Sequence, residues 1–126
     1  MESAYEWGLR HGSCANGLEA RRALGPATTQ ADWWQICPRG GWLLWQLQRL
    51  PADQLRPLMS ALLRAAKRIT HRTSVAAALE AETVEAVYQV ATRARQAMPG
   101  KLEQDIESRQ QADDIRAEIP VWPEEV

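Results

Sequence analysis

Phenylalanine is missing from this chain of 126 residues, while tryptophan occurs six times. Aromatic burial therefore has to come mainly from Trp. Cysteine is scarce, with Cys14 and Cys37 alone. Two cysteines do not make the disulfide framework of a small secreted domain, and both are expected as small buried hydrophobes. A zinc site assembled from Cys14, Cys37, His11 and His71 is conceivable, but no pair of them has ligand spacing. No metal or other cofactor is expected. No apolar run approaches the roughly 18 residues of a membrane span. The first residues, Met1 to Trp7, show no basic stretch followed by an apolar one, so no signal peptide is expected and the setting read from this is cytoplasmic.

Catalytic signatures are missing as well. Gly40-Gly41 lacks the Lys-Ser/Thr of a phosphate-binding loop, and no HExxH, CxxC or EF-hand pattern occurs. No nucleophile–base pairing is legible, and His71 is expected as a helix-end residue facing the negative end of the dipole. The chain is expected not to be an enzyme. A net charge of -1 argues against strong nonspecific nucleic-acid binding by the whole chain.

What is present is ordinary globular material, 45% hydrophobic and 25% charged. The most apolar stretch is Trp42 to Leu50, opened by the turn Pro38-Arg39-Gly40-Gly41. Its apolar residues would point in nearly every direction on a helix, which marks a buried one. The fold class expected is all-α, a bundle of about five or six helices around this Trp-rich central helix. Residues 1–13 read as a loosely ordered lead-in. Asn16 with Glu19 predicts a helix to about Leu24, ended by Gly25-Pro26. Thr29 with Asp32 predicts a second, which carries Trp33 and Trp34 into the core and stops at Pro38. Residues 52–70 show the clearest helical period. A further helix is expected over 75–98, with Val75, Leu79, Val87, Val90, Ala91, Ala94 and Met98 on one face and Thr73 or Ser74 as its cap.

Residues 1–100 are read as the helical core. Residues 101–126 are read as a polar, acidic helix plus an extended tail on the same domain. Only Leu102, Ile106, Ile115 and Ile119 offer apolar burial in the helix, which leaves an exposed helix or an arm as alternatives. Prolines 120 and 123 keep the segment around Trp122 extended.

Charge is segregated. Residues 51–73 hold Arg56, Arg64, Lys67, Arg68 and Arg72 against Asp53, a net of +4. Residues 101–126 hold eight acids against three bases, a net of -5. Arg64, Lys67, Arg68, His71 and Arg72 fall at helical spacing. They make either a phosphate- or acid-binding stripe or a solvated helix face. The candidate partner-binding residues are Arg64, Lys67, Arg68, Arg72, Asp113, Asp114, Glu118, Trp122, Glu124 and Glu125. For Trp122 two readings stand: docking on its own core, or serving as an anchor for a partner.

The segment Ala31 to Leu47, with Trp33-Trp34, Cys37, Arg39-Gly40-Gly41-Trp42-Leu43-Leu44-Trp45, resembles one found in small phage and prophage proteins that are uncharacterised or labelled immunity-like. Those read as Trp, then Cys two or three residues later, then Arg-Gly-Asp-Trp-Leu-Leu-Trp. The likeness covers about residues 14–66 and is tightest at 33–47. Gly41 stands where that pattern has Asp, and the polar stretch 101–126 replaces an Ala/Tyr-rich tail. The resemblance implies a helical fold in a phage setting, inside a bacterial host, and transfers no catalytic residue. The function expected is binding to a host protein or protein–nucleic acid complex, most concretely inhibition of a bacterial defence system in the manner of an anti-CRISPR. The alternatives are a nucleic-acid-binding accessory protein using the 56–72 face and a toxin-neutralising immunity protein.

Overall fold

The computed structural model describes residues 2–74 and 83–125. It is an all-α protein, with no strand among these residues and one isolated bridge between Ser3 and Thr29. No helix among them is long and apolar enough to cross a membrane. The chain divides into two compact units, Met1–Cys37 with Val121–Val126, and Pro38–Pro120. The boundary read from composition at residue 100 is thus not where contacts thin out.

In the first unit the helices are α1 (Ala4–Arg10), α2 (Ala15–Arg22) and α3 (Gln30–Ile36). The expected loose lead-in is instead α1. Ser3 and Glu6 form a reciprocal capping box, each side chain bonding the other's backbone N–H at 3.1 Å. Two donors left over at the helix start are satisfied in this way. Trp7 is buried on α1, whereas Leu9 is exposed. Thr29 and Asp32 build the same box at the start of α3, as expected. Cys14 is not a buried hydrophobe. It is exposed and caps α2, its sulfur accepting from the Gly17 N–H at 3.4 Å, in the place expected for Asn16. Cys37 is buried.

Trp33 and Trp34 are both core residues. Trp122 meets Trp7 edge-on and Trp34 at a tilt, with ring centroids 5.5 Å apart in each case. Arg21 is buried beside them without a carboxylate. It donates to the Ala4 carbonyl at 2.8 Å and to Gln30 Oε1 at 2.7 Å. It also lies 5.0 Å from the Trp7 ring and 5.4 Å from the Trp33 ring. Burial pushes its pKa down to about 10, so it stays charged at neutral pH and leans on carbonyl dipoles and aromatic faces. Gly8 makes room for it, since a Cβ there would stand 2.7 Å from Arg21 Cδ.

The second unit contains α4 (Gly40–Leu47), α5 (Ala52–Leu55), a 3-10 turn over Arg56–Leu58, α6 (Met59–Thr73), α7 (Val84–Gln96) and α8 (Lys101–Glu118). The 3-10 turn falls at Pro57, which lacks the N–H that a continuous α-helix would use. Leu43, Leu44 and Leu47 of α4 are buried. Trp42 and Trp45 are only half-buried, covered on one face by Arg39 at 4.9 Å and Arg49 at 4.7 Å. The tryptophan core therefore lies in the first unit rather than along this helix.

Ser74 closes α6 in the left-handed conformation, and Thr83 opens α7 in an extended one, accepting from the Ala86 N–H. A single helix over 75–98 is excluded by that cap. Val75 and Leu79 lie outside the described residues.

The polar helix α8 packs against α4, α6 and α7. Its buried residues are Glu107, Ser108, Gln111, Ala112, Asp114 and Ile115, a helical stripe made mostly of polar side chains. Of the expected apolar contacts, Ile115 and Ile119 are buried, whereas Leu102 and Ile106 point outward, 69% and 59% exposed. Where α4 crosses α8, a Cβ on Gly40 would stand 2.5 Å from Gln111 Cβ. Only glycine allows that approach. Gln111 is held by its bond to the Ala91 carbonyl at 2.9 Å.

Candidate partner-binding site

The ten candidate residues do not form one surface. On α6, helical spacing places Arg64, Arg68 and Arg72 along one side, as the sequence predicts. That side faces α8. Arg64 and Arg68 reach the two oxygens of Glu118 at 2.8 Å and 2.9 Å. Arg72 forks onto Glu107 at 3.1 Å and 2.8 Å and meets Asp114 at 2.7 Å. The basic stripe and the acidic helix thus neutralise each other inside one unit. Lys67 is exposed and has no ion pair among the described residues.

The rest scatter. Asp113 is exposed and pairs locally with Arg116 at 3.3 Å. Trp122 is 2% exposed, so its side chain is core and does not project as an anchor. Its place between Trp7 and Trp34 outweighs the stiffness that its flanking prolines lend to an extended segment. Glu124 is exposed and acts electrostatically on Arg10 of the same unit. Glu125 lies in the 3-10 turn Pro123–Glu125. The Glu125 side chain and residue 126 are outside what the structure describes.

The electrostatics of the cluster follow from its geometry. Burial is the largest single influence on Arg72 and opposes its charge, but the bonds to Glu107 and Asp114 together exceed it and raise its pKa. Burial raises the pKa of Asp114, with Glu107 pushing the same way and Arg72 opposing. One guanidinium shared between two carboxylates leaves Asp114 harder to ionise than usual. Glu118 goes the other way, lowered first by its hydrogen bond to Arg64. A carboxylate lowered in the fold stabilises above its unfolded pKa, and that contribution is lost as pH falls through the folded value. Glu118→Gln is therefore expected to lessen the loss of stability between neutral pH and about pH 3. Urea midpoints of wild type and variant at the two pH values measure it.

Three features escape a sequence reading. Glu107 is a principal partner of Arg72, yet in sequence it is one acid among eight. Leu102 and Ile106, one turn apart, are presented to solvent beside the exposed acids Glu103 and Asp105. Arg21 has no acid to announce its burial. Among the described residues, no three His, Cys, Asp or Glu side chains gather as a metal site would require.

Fold and site together define an all-α helical protein whose second unit is clasped by ion pairs and carries an apolar pair on its polar helix. No protein-family model, curated protein or solved structure matches the chain.

Proposed function

We propose that this chain is a non-enzymatic, phage-type protein that works by gripping a host protein, in its most concrete form as an inhibitor of a bacterial defence system. The observation that carries the binding role is the outward face of α8. Leu102 and Ile106 lie exposed there although the helix buries polar side chains on its other side. An apolar pair turned to solvent while glutamine and serine are buried favours a binding role for that face. Glu103 and Asp105 flank it, so the partner it suits has an apolar groove with a basic rim, of the kind that nucleic-acid-handling proteins present. The phage setting rests on the resemblance of residues 33–47. Uptake of Arg64, Arg68 and Arg72 by α8 weighs against a nucleic-acid-binding stripe on α6.

The paired variant Leu102→Glu/Ile106→Glu is expected to keep the wild-type melting temperature, because neither side chain is core. It is expected to lose at least about tenfold in affinity for a partner recovered from bacterial lysate, the scale of two central interface contacts. It should also lose any effect on phage plating. Full binding and full plating activity in the folded variant would sink this reading.

A further inference from the structure

A cleft of about 140 Å³ opens at the start of α4, lined by Arg39, Gly41, Trp42, Tyr88, Thr92, Arg95 and Ser108 among others. From this cleft we infer that the second unit holds a binding site for a phosphoryl oxyanion, taken as inorganic phosphate or as the phosphate end of a small molecule. The inference is independent of the α8 docking face.

Three observations converge there. First, α4 begins without a side-chain cap. The N–H of Gly41, which lines the cleft, meets no acceptor among the described residues. Free N–H groups and the positive end of the helix dipole attract an anion. Second, Ser108 is 5% exposed, and its hydroxyl makes no hydrogen bond among the described residues. A helical serine can turn its hydroxyl back onto a carbonyl of the preceding turn. This one is left available at the cleft wall. Third, Arg95 of α7 is half-buried in the same wall and has no carboxylate partner among the described residues. Arg64, Arg68 and Arg72 of the same unit all have one. An arginine partly withdrawn from solvent with no carboxylate at hand is left to attract an anion from solution.

The surrounding acids do not fill the role. No Asp or Glu lines the cleft. Asp105 lines a neighbouring one together with Arg39, Ser108 and Arg109. Glu85, further up α7, is held by Gln48 at 3.1 Å and Gln89 at 2.9 Å. The Arg95 guanidinium, the Gly41 N–H and the Ser108 hydroxyl together suit the several acceptor oxygens of a tetrahedral dianion better than a single carboxylate. The small, walled space suits a terminal phosphate better than a continuous phosphodiester backbone. A Cβ on Gly41 would meet only the Tyr88 ring, at an ordinary 3.7 Å, so a side chain fits there without disturbing the fold.

The test is a titration of the full chain with sodium phosphate, at ionic strength fixed with chloride, read by amide NMR. The expected result is saturable shifts at Gly40, Gly41 and Ser108 with a Kd on the order of 1 mM or tighter. Arg95→Gln should weaken binding by about tenfold, the scale of one charge-assisted contact. Gly41→Asp, which tethers a carboxylate at the helix start, should abolish it while the melting temperature is kept. Glycerol phosphate is the second probe. Tighter binding than inorganic phosphate assigns a small-molecule source, equal binding assigns the free ion, and the site stands under either. Absence of saturation in the wild type overturns the inference, as does equal affinity in folded Arg95→Gln and Gly41→Asp. A short oligonucleotide binding more tightly than both probes would overturn the small-ligand assignment.

Discussion

Trp122→Ala is expected to lower the stability of the protein by about 3–5 kcal/mol, the range for removing a fully buried large aromatic side chain. A small domain has only about 5–15 kcal/mol to lose, so most of the margin goes with it. The reason lies in the first unit. Trp122 follows α8, the last α-helix among the described residues, yet its indole packs between Trp7 and Trp34. Truncation leaves both rings facing a void that their own helices cannot close, because the α1 and α3 starts are pinned by capping boxes. Deleting residues 120–126 should act in the same direction. Thermal and urea melts of both variants provide the measurement. A wild-type melting point in either would show that the tail does not hold the unit together.

Arg72→Ala is expected to cost about 3 kcal/mol at neutral pH, at the low end for breaking a buried ion pair because Arg72 itself is partly exposed. The cost comes from what remains. Glu107 and Asp114 are nearly buried and would share a site with no cation between them. Burial already raises the pKa of Asp114, and without the opposing pull of Arg72 it would rise further above the unfolded value, so the folded state would bind a proton there more readily. The sign follows: the variant should regain stability as pH falls through that window, opposite to the loss tied to Glu118. Adding Glu107→Gln and Asp114→Asn to Arg72→Ala should restore much of the loss at neutral pH. Urea midpoints across pH, for the single and triple variants, check both statements. A pH-independent deficit, or no rescue by the triple variant, would show that Arg72 acts through packing alone.

Both results bear on how much of the molecule can be read from its residues in order. Local signals are reliable where a helix starts or stops. The Thr29 box, the stop at Pro38, the turn at Gly25 and the periodic α6 all occur as their residue types dictate. The Ser3–Glu6 box carries the same signal, which the expectation of an irregular lead-in passes over. Burial is harder to read. Hydropathy offers Leu102, Ile106, Ile115 and Ile119 for burial in this region, and only Ile115 and Ile119 turn inward, beside side chains that are mostly polar. Ser108, Gln111 and Ala112 are small or satisfiable enough to let α8 pack closely at Gly40, and Glu107 and Asp114 find Arg72 waiting. A polar side chain is buried at low cost when its partner is already in place, and the partner lies 35 residues away for Glu107 and 42 for Asp114.

Residue order by itself determined that this chain is helical, where most helices begin and end, and that opposite charges are concentrated in two separate stretches. Those properties depend on neighbours within a few residues, through capping, proline geometry and the 3.6-residue period. Only the tertiary structure decided that Arg64, Arg68 and Arg72 are taken up by Glu107, Asp114 and Glu118, that Trp122 belongs to the first unit, and that Arg95 and Ser108 line one cleft at the start of α4. Each depends on contacts between residues far apart in the chain, and no local pattern encodes which distant partner a charge or a ring will find.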